Sequence, residues 1–149
     1  MTDQPLHIAL VAIQFMVHAL VGQWPRTWPE AGALPRVTSR RTVLKRVAQS
    51  LHEGLRVGDV VARWGGEEFC VLLPRTRLAQ AHALAERLTL RIAASGTSRV
   101  TVSIGVAEAH AHLEGAEQVI RRADAALYRA EEAGRNQVVA APAARAAPV

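Results

Sequence analysis

Glu67 and Glu68 follow a pair of glycines in the stretch Trp64-Gly65-Gly66-Glu67-Glu68-Phe69. Adjacent carboxylates repel each other, so a fold seldom sets them at a tight turn without a cation nearby. A hard divalent ion, Mg²⁺ or Mn²⁺, itself bound to phosphate, is the natural partner for such acids. Gly65 and Gly66 allow positive φ at the turn tip and let a flat ligand approach the backbone. A second polar pair, Arg56 and Asp59, lies just upstream in Arg56-Val57-Gly58-Asp59. A planar guanidinium suits phosphates and the edges of nucleobases. Taken alone, each feature has a plainer reading: a hairpin with solvated glutamates, and a helix-terminal arginine beside a turn aspartate.

The surrounding elements must position these groups. Val60–Arg63 reads as a short β-branched strand, with Phe69–Leu73 as its hairpin partner and Pro74 closing it. Before it, Thr42–Leu55 carries Val43, Leu44, Val47, Ala48, Leu51 and Leu55 on one helical face. Gly54 and Gly58 mark its end. Leu78–Ala93 repeats the pattern, with Leu78, Ala81, Leu84, Ala85, Leu88 and Ile92 facing inward. Val100–Ala107 alternates as a strand, interrupted at Gly105. Gly115–Ala133 reads as a third helix with Val119, Ile120, Ala123, Leu127 and Tyr128 on its buried side, and Gly134 supplies the C-cap. Gln137–Val139 can add an edge strand, and 140–149 reads as a disordered Ala/Pro tail. Helices alternating with strands around a hairpin predict an α/β sandwich on one sheet with antiparallel pairs.

Composition narrows the partners. The 149 residues suffice for one domain with a real core, and half of them are apolar. The single cysteine, Cys70, permits no internal disulfide and suits a reducing cytoplasm. The net charge of +5 suits an anionic nucleotide. No helix-turn-helix, zinc-finger or RNA-binding signature is present, so nucleic acid is not expected. His52, His82, His110 and His112 show no zinc-type spacing with cysteine. Leu6–Gly22 is mostly apolar, but His7, Gln14 and His18 interrupt it and it is short for a membrane span. It also lacks the basic start and cleavage site of a secretory signal. A core segment is the expected reading.

The hairpin and its flanks resemble the signature of the GGDEF family, the diguanylate cyclases. Gly65-Gly66-Glu67-Glu68-Phe69 matches the name-giving motif, and Arg56-Val57-Gly58-Asp59 stands where the family carries RxxD. Val102–Val106 matches a later strand. Ala123–Ala130 and Gly134-Arg135-Asn136 match the last helix and the turn after it. The resemblance implies a GGDEF-type, ferredoxin-like palm shared with nucleotidyl cyclases. It implies joining two GTP into cyclic di-GMP with release of two diphosphates, between two domains that each bring a GTP half-site, hence a homodimer. By resemblance Glu67 is a metal ligand and the acid at the attacking hydroxyl, and Glu68 is a second acid of the metal site. Gly65 and Gly66 leave room for nucleotide. Arg56, Asp59 and Arg87 form a product-binding inhibitory site. Arg135 contacts GTP phosphates, but its usual lysine companion is Glu131 here, a like charge to the phosphate.

The resemblance fails before Thr42. The family calls for a first strand ending in Asp-x-Asp-x-Phe-Lys, then Asn-Asp, then Gly-His-x-x-Gly-Asp. Counting back without gaps from Gly65 puts the metal aspartate on Trp24, the asparagine on Gly32 and the last aspartate on Arg41. None can hold a metal or read guanine. An apolar strand such as Ile8–Phe15 could take the first strand's place, yet it brings no acid. The expectation is a divergent segment over 1–41 and a GGDEF domain over 42–139, with weak or absent cyclase activity. A receptor for cyclic di-GMP through the RxxD pair is the alternative. A shifted reading frame across Trp24–Arg41, rich in Trp, Pro and Arg, or a truncated fragment, is the third reading.

Overall fold

The computed structural model describes residues 8–17, 40–94, 100–110 and 112–145. The elements run β1 (Ile8–Val17), α1 (Arg40–Gly54), β2 (Val60–Arg63), β3 (Glu68–Pro74), α2 (Leu78–Ala94), β4 (Val100–Ala109), α3 (Ala116–Glu132) and β5 (Val138–Ala140). One five-stranded sheet has the order β2-β3-β1-β4-β5. β1 pairs antiparallel with both β3 and β4, and β5 joins β4 in parallel.

The apolar N-terminal run is therefore the middle strand of the sheet. Ala9, Val11 and Ile13 are buried on one face and Ala12 on the other. A strand covered on both faces has no use for polar alternation, which is why Ile8–Val17 is apolar except for Gln14. α1 and α2 cover the first face, where Val43, Val47, Leu51, Ala85, Leu88 and Ile92 pack against Val71, Val102, Ile104 and Val106. α3 covers the second, with Val119, Ala123, Ala126 and Leu127 against Ala12 and Ala107. β4 is buried on both faces from Val102 to Ala107. The backbone of α3 lies directly on Gly105, which explains the glycine that interrupts this strand. No helix among the described residues is long and apolar enough to cross a membrane.

Three expectations change. Tyr128 is 61% exposed, because α3 meets the sheet through Leu127 and leaves the next residue outside. Ordered pairing runs past 139: Ala140 ends β5, Ala141 is buried, and its N–H donates to the Val106 carbonyl at 2.7 Å. The expected tail thus begins by completing the sheet edge. Positive φ is found at Gly58 and Gly134 rather than at Gly65 or Gly66. Four residues spread the hairpin reversal between β2 and β3, so neither tip glycine needs the left-handed region.

Candidate functional site

The hairpin tip is held by its own backbone and by one arginine. The Trp64 and Gly65 N–H groups donate to the Glu68 carbonyl at 2.8 and 3.3 Å. Arg63, the last residue of β2, donates from Nε to the Gly65 carbonyl and from Nη2 to the Gly66 carbonyl, each at 3.1 Å. The reason for Gly65 is space. A Cβ there would stand 3.2 Å from Glu68 Oε2, so a side chain would press on the Glu68 carboxylate and shift it by a few tenths of an ångström. Glu67 is exposed on the turn, whereas Glu68 opens β3 and is half-buried.

Glu68 borders a small, shallow cleft, open to solvent, between the hairpin, β1 and α3. Ala12, Phe69, Cys70, Ile120 and Leu127 form its apolar lining, with Trp64 beside it and Asp124 on the α3 wall. Burial pushes the Asp124 carboxyl above its ordinary range. Burial likewise raises the Cys70 thiol, and the Asp124 charge adds to it. A raised thiol is a poor nucleophile, so Cys70 serves as lining. Sequence reasoning left Asp124, Trp64 and Arg63 out of the site. The signal for Asp124 was its spacing from Ile120 and Leu127, which places all three along one side of a helix.

The divalent ion expected at Glu67 and Glu68 does not fit the residues present. Among the described residues, no group of three or more His, Cys, Asp or Glu side chains comes together that could hold a metal. The first strand, Ile8–Val17, contains no acid. Trp24 and Gly32, where a gapless count placed the metal aspartate and the asparagine, lie outside the described residues. That count fails because β1 ends well before Trp24, at Val17.

Arg56 and Asp59 meet, but largely to close their own turn. Asp59 Oδ2 accepts from the Arg56 N–H at 2.8 Å, and the Asp59 N–H donates to the Arg56 carbonyl at 3.1 Å. The Arg56 guanidinium reaches Asp59, the Pro74 carbonyl at 3.3 Å and Thr76 Oγ1 at 2.7 Å. The Asp59 side chain is only 2% exposed, while that of Arg56 is 63% exposed. A ligand therefore finds the arginine open and the aspartate enclosed. Arg87 is exposed on α2, one helical turn before Arg91, which pairs with Glu53 at 2.9 Å. Arg87 thus shares the side of α2 that faces the end of α1, from which Arg56 follows. Arg135 is exposed beyond α3, in a left-handed turn where Gly134, Arg135 and Asn136 all have positive φ. Its N–H donates to the Ala130 carbonyl at 2.9 Å, so the turn caps the helix.

Residues 41–137 match the profile of the family described as "Diguanylate cyclase, GGDEF domain". Diguanylate cyclase DgcM of Escherichia coli strain K12 is 50% identical over 102 residues, covering 66% of this chain and 25% of that protein. The chain thus spans about a quarter of the length of that relative. The GGDEF domain of DgcB from Caulobacter crescentus, solved in complex with c-di-GMP, is similar with a TM-score of 0.67 at 22% identity, over 91% of this chain and 78% of that one. The active GGEEF domain of a diguanylate cyclase from Vibrio cholerae gives 0.69 at 20% identity, over 91% and 83%. At these identities the solved structures establish a shared fold.

Proposed function

The chain belongs to the GGDEF domain family of diguanylate cyclases, and from that premise we propose that it is a cyclase-type domain impaired in turning GTP into cyclic di-GMP. The observation that carries the impairment is the first strand: it fills the centre of the sheet beside the hairpin and supplies no acid. In the family reaction a 3′-hydroxyl attacks an α-phosphorus, and developing charge on phosphate oxygens must be neutralised. A divalent ion supplies much of that neutralisation when bound. By the family likeness Glu67, exposed at the turn, is the acid for the attacking hydroxyl, and Glu68 lines the cleft. Gly65 and Gly66 leave space for nucleotide, and Arg135 offers an exposed guanidinium to phosphate. This set lacks a third carboxylate and a reader for guanine, so both charge neutralisation and base discrimination are weakened. GTP with Mg²⁺ or Mn²⁺ is expected to give no sustained cyclic di-GMP in a turnover assay. Steady production would overturn the proposal.

The second reading is a receptor for cyclic di-GMP, and the open guanidinium of Arg56 with exposed Arg87 supports it. Arginine is suited to a phosphodiester ring because its fork pairs bidentately with phosphate. On this reading, calorimetry gives a binding heat with cyclic di-GMP that Arg56→Ala reduces at least about tenfold in affinity, the loss of one charge-assisted contact. No heat, or heat indifferent to Arg56→Ala, excludes it. The fragment reading predicts a thermal melt with no cooperative transition. The cytoplasm and a homodimer are the expected setting of an active family member and belong to this proposal.

A further inference from the structure

The mismatch between the acids at the hairpin and a divalent ion has a location. β1 lies in register between its neighbours, with Ala12 opposite Cys70 of β3 on one side and Gly105 of β4 on the other. Ala12 faces α3, the same face on which the cleft opens. Ala12, Glu68 and Asp124 all line that one cleft, each from a different element: middle strand, hairpin and helix. Ala12 is 8% exposed, so its methyl group forms part of the cleft floor. Glu68 reaches the cleft from the hairpin and Asp124 from α3, and burial already disfavours charge on Asp124. A hard divalent ion needs a convergent oxygen set with enough negative charge to replace its water. Two acids across an apolar floor do not provide one, in keeping with the absence of any three-residue metal cluster among the described residues.

We infer that Ala12 is a position at which this cleft falls short as a divalent-cation site, and that an acid there would close a three-carboxylate set with Glu68 and Asp124. The inference deepens the proposed impairment and rests on it: it names the residue, and it says that the rest of the cleft remains able to receive an ion. A carboxylate at 12 without a cation would share the cleft with Glu68 and Asp124, and like charges gathered there are unfavourable. With a cation the same arrangement becomes favourable. The substitution therefore makes folding depend on the ion, as in sites where binding free energy is folding free energy.

The test is Mn²⁺ binding to the full chain, followed by electron paramagnetic resonance and by thermal melting with and without the ion. The chain as it stands is expected to show no saturable Mn²⁺ site and no shift in melting temperature. Ala12→Asp is expected to melt lower than the parent in chelator and to recover with Mn²⁺, binding the ion at least about ten times more tightly than the parent. Adding Glu68→Gln to Ala12→Asp should remove the gain. Ala12→Asn, which fills the same space without charge, should show none. If Ala12→Asp does not fold in chelator, Ala12→Glu, which keeps Glu68 and Asp124 and offers its carboxylate on a longer stem, is titrated instead. Saturable binding by the parent equal to that of Ala12→Asp overturns the inference. So does a folded Ala12→Asp that is indifferent to Mn²⁺, and so does failure of both acidic variants to fold even with the ion. These readouts are independent of turnover: cyclic di-GMP made by the parent would sink the proposed impairment, whereas an indifferent Ala12→Asp sinks only the assignment to position 12.

Discussion

Gly105→Ala is expected to destabilise the domain by about 3 kcal/mol, at the upper end of what overpacking costs in a filled core. A Cβ built at Gly105 would lie 2.2 Å from the Ala123 carbonyl oxygen, 2.3 Å from the Leu127 N and 2.9 Å from the Leu127 Cα. All three are backbone atoms, so no rotamer change can make room. α3 must move off β4. The seam it would open is the one packed by Ala12, Ala107, Ala123, Ala126 and Leu127, where four alanines allow a close approach. Loss of that approach strips contacts along the helix rather than at one point. It also displaces Ile120, Asp124 and Leu127, which form the helical wall of the cleft. Urea denaturation should show a lower midpoint with little change in slope. Gly54→Ala is the internal comparison. Its Cβ would meet the Leu88 side chain at 2.5 Å, and a leucine end can swing away. If Gly105→Ala unfolds at the same midpoint as the parent, the direct seating of α3 on β4 is wrong.

Arg122→Ala is expected to cost a similar amount, about 3 kcal/mol, because it strands a buried carboxylate. Arg122 pairs through Nη2 and Nε with Glu114, whose side chain is only 5% exposed. The same guanidinium donates to the carbonyls of Glu108 at the end of β4 and of Pro142 after β5, the latter at 2.8 Å. One side chain thus ties α3 to the loop before it, to the sheet and to the C-terminal segment. Burial alone would raise the Glu114 carboxyl, but hydrogen bonds from Arg122 and from the His110 N–H outweigh it and hold the carboxyl below its ordinary range. The sign of the pH dependence follows. A group whose folded pKa is depressed contributes stability above its unfolded value, about 4.3 for glutamate, and loses it as pH falls through the folded value. In Arg122→Ala burial is opposed only from the His110 side, so the folded pKa rises relative to the parent and the variant loses less stability as the acid protonates. The gap between parent and variant should therefore be widest near neutrality and narrow below about pH 4. A gap that stays constant down to that pH would mean the pair contributes packing and not charge.

Much of the scaffold was legible because it depends on residues close together in the chain. The strand Val60–Arg63 occurs where expected, and α2 differs from the expected helix by one residue at its end. Apolar spacing fixed the buried face of α3 at Val119, Ala123 and Leu127, though it took in Tyr128, which points outward. The tip acids were legible as residues after two glycines, but the cation expected beside them was not matched by a ligand cluster among the described residues. The Arg56–Asp59 pair was legible as a pair but not as to its use. Only the coordinates show that the aspartate is enclosed by its own turn while the arginine stays open.

By itself, then, the sequence determined the helices, the hairpin, the family and the absence of an acid from the N-terminal strand. Each of these is written in local spacing or in residue identity. Tertiary structure decided which strand is central, because an apolar run covered on both faces carries no alternation to show where it belongs. It also decided that Ala12, Glu68 and Asp124 share one cleft and that Arg122 gathers three segments. Those meetings join residues far apart in the chain. They are set by the order β2-β3-β1-β4-β5 and by the seating of α3 on Gly105, which no short window of sequence contains.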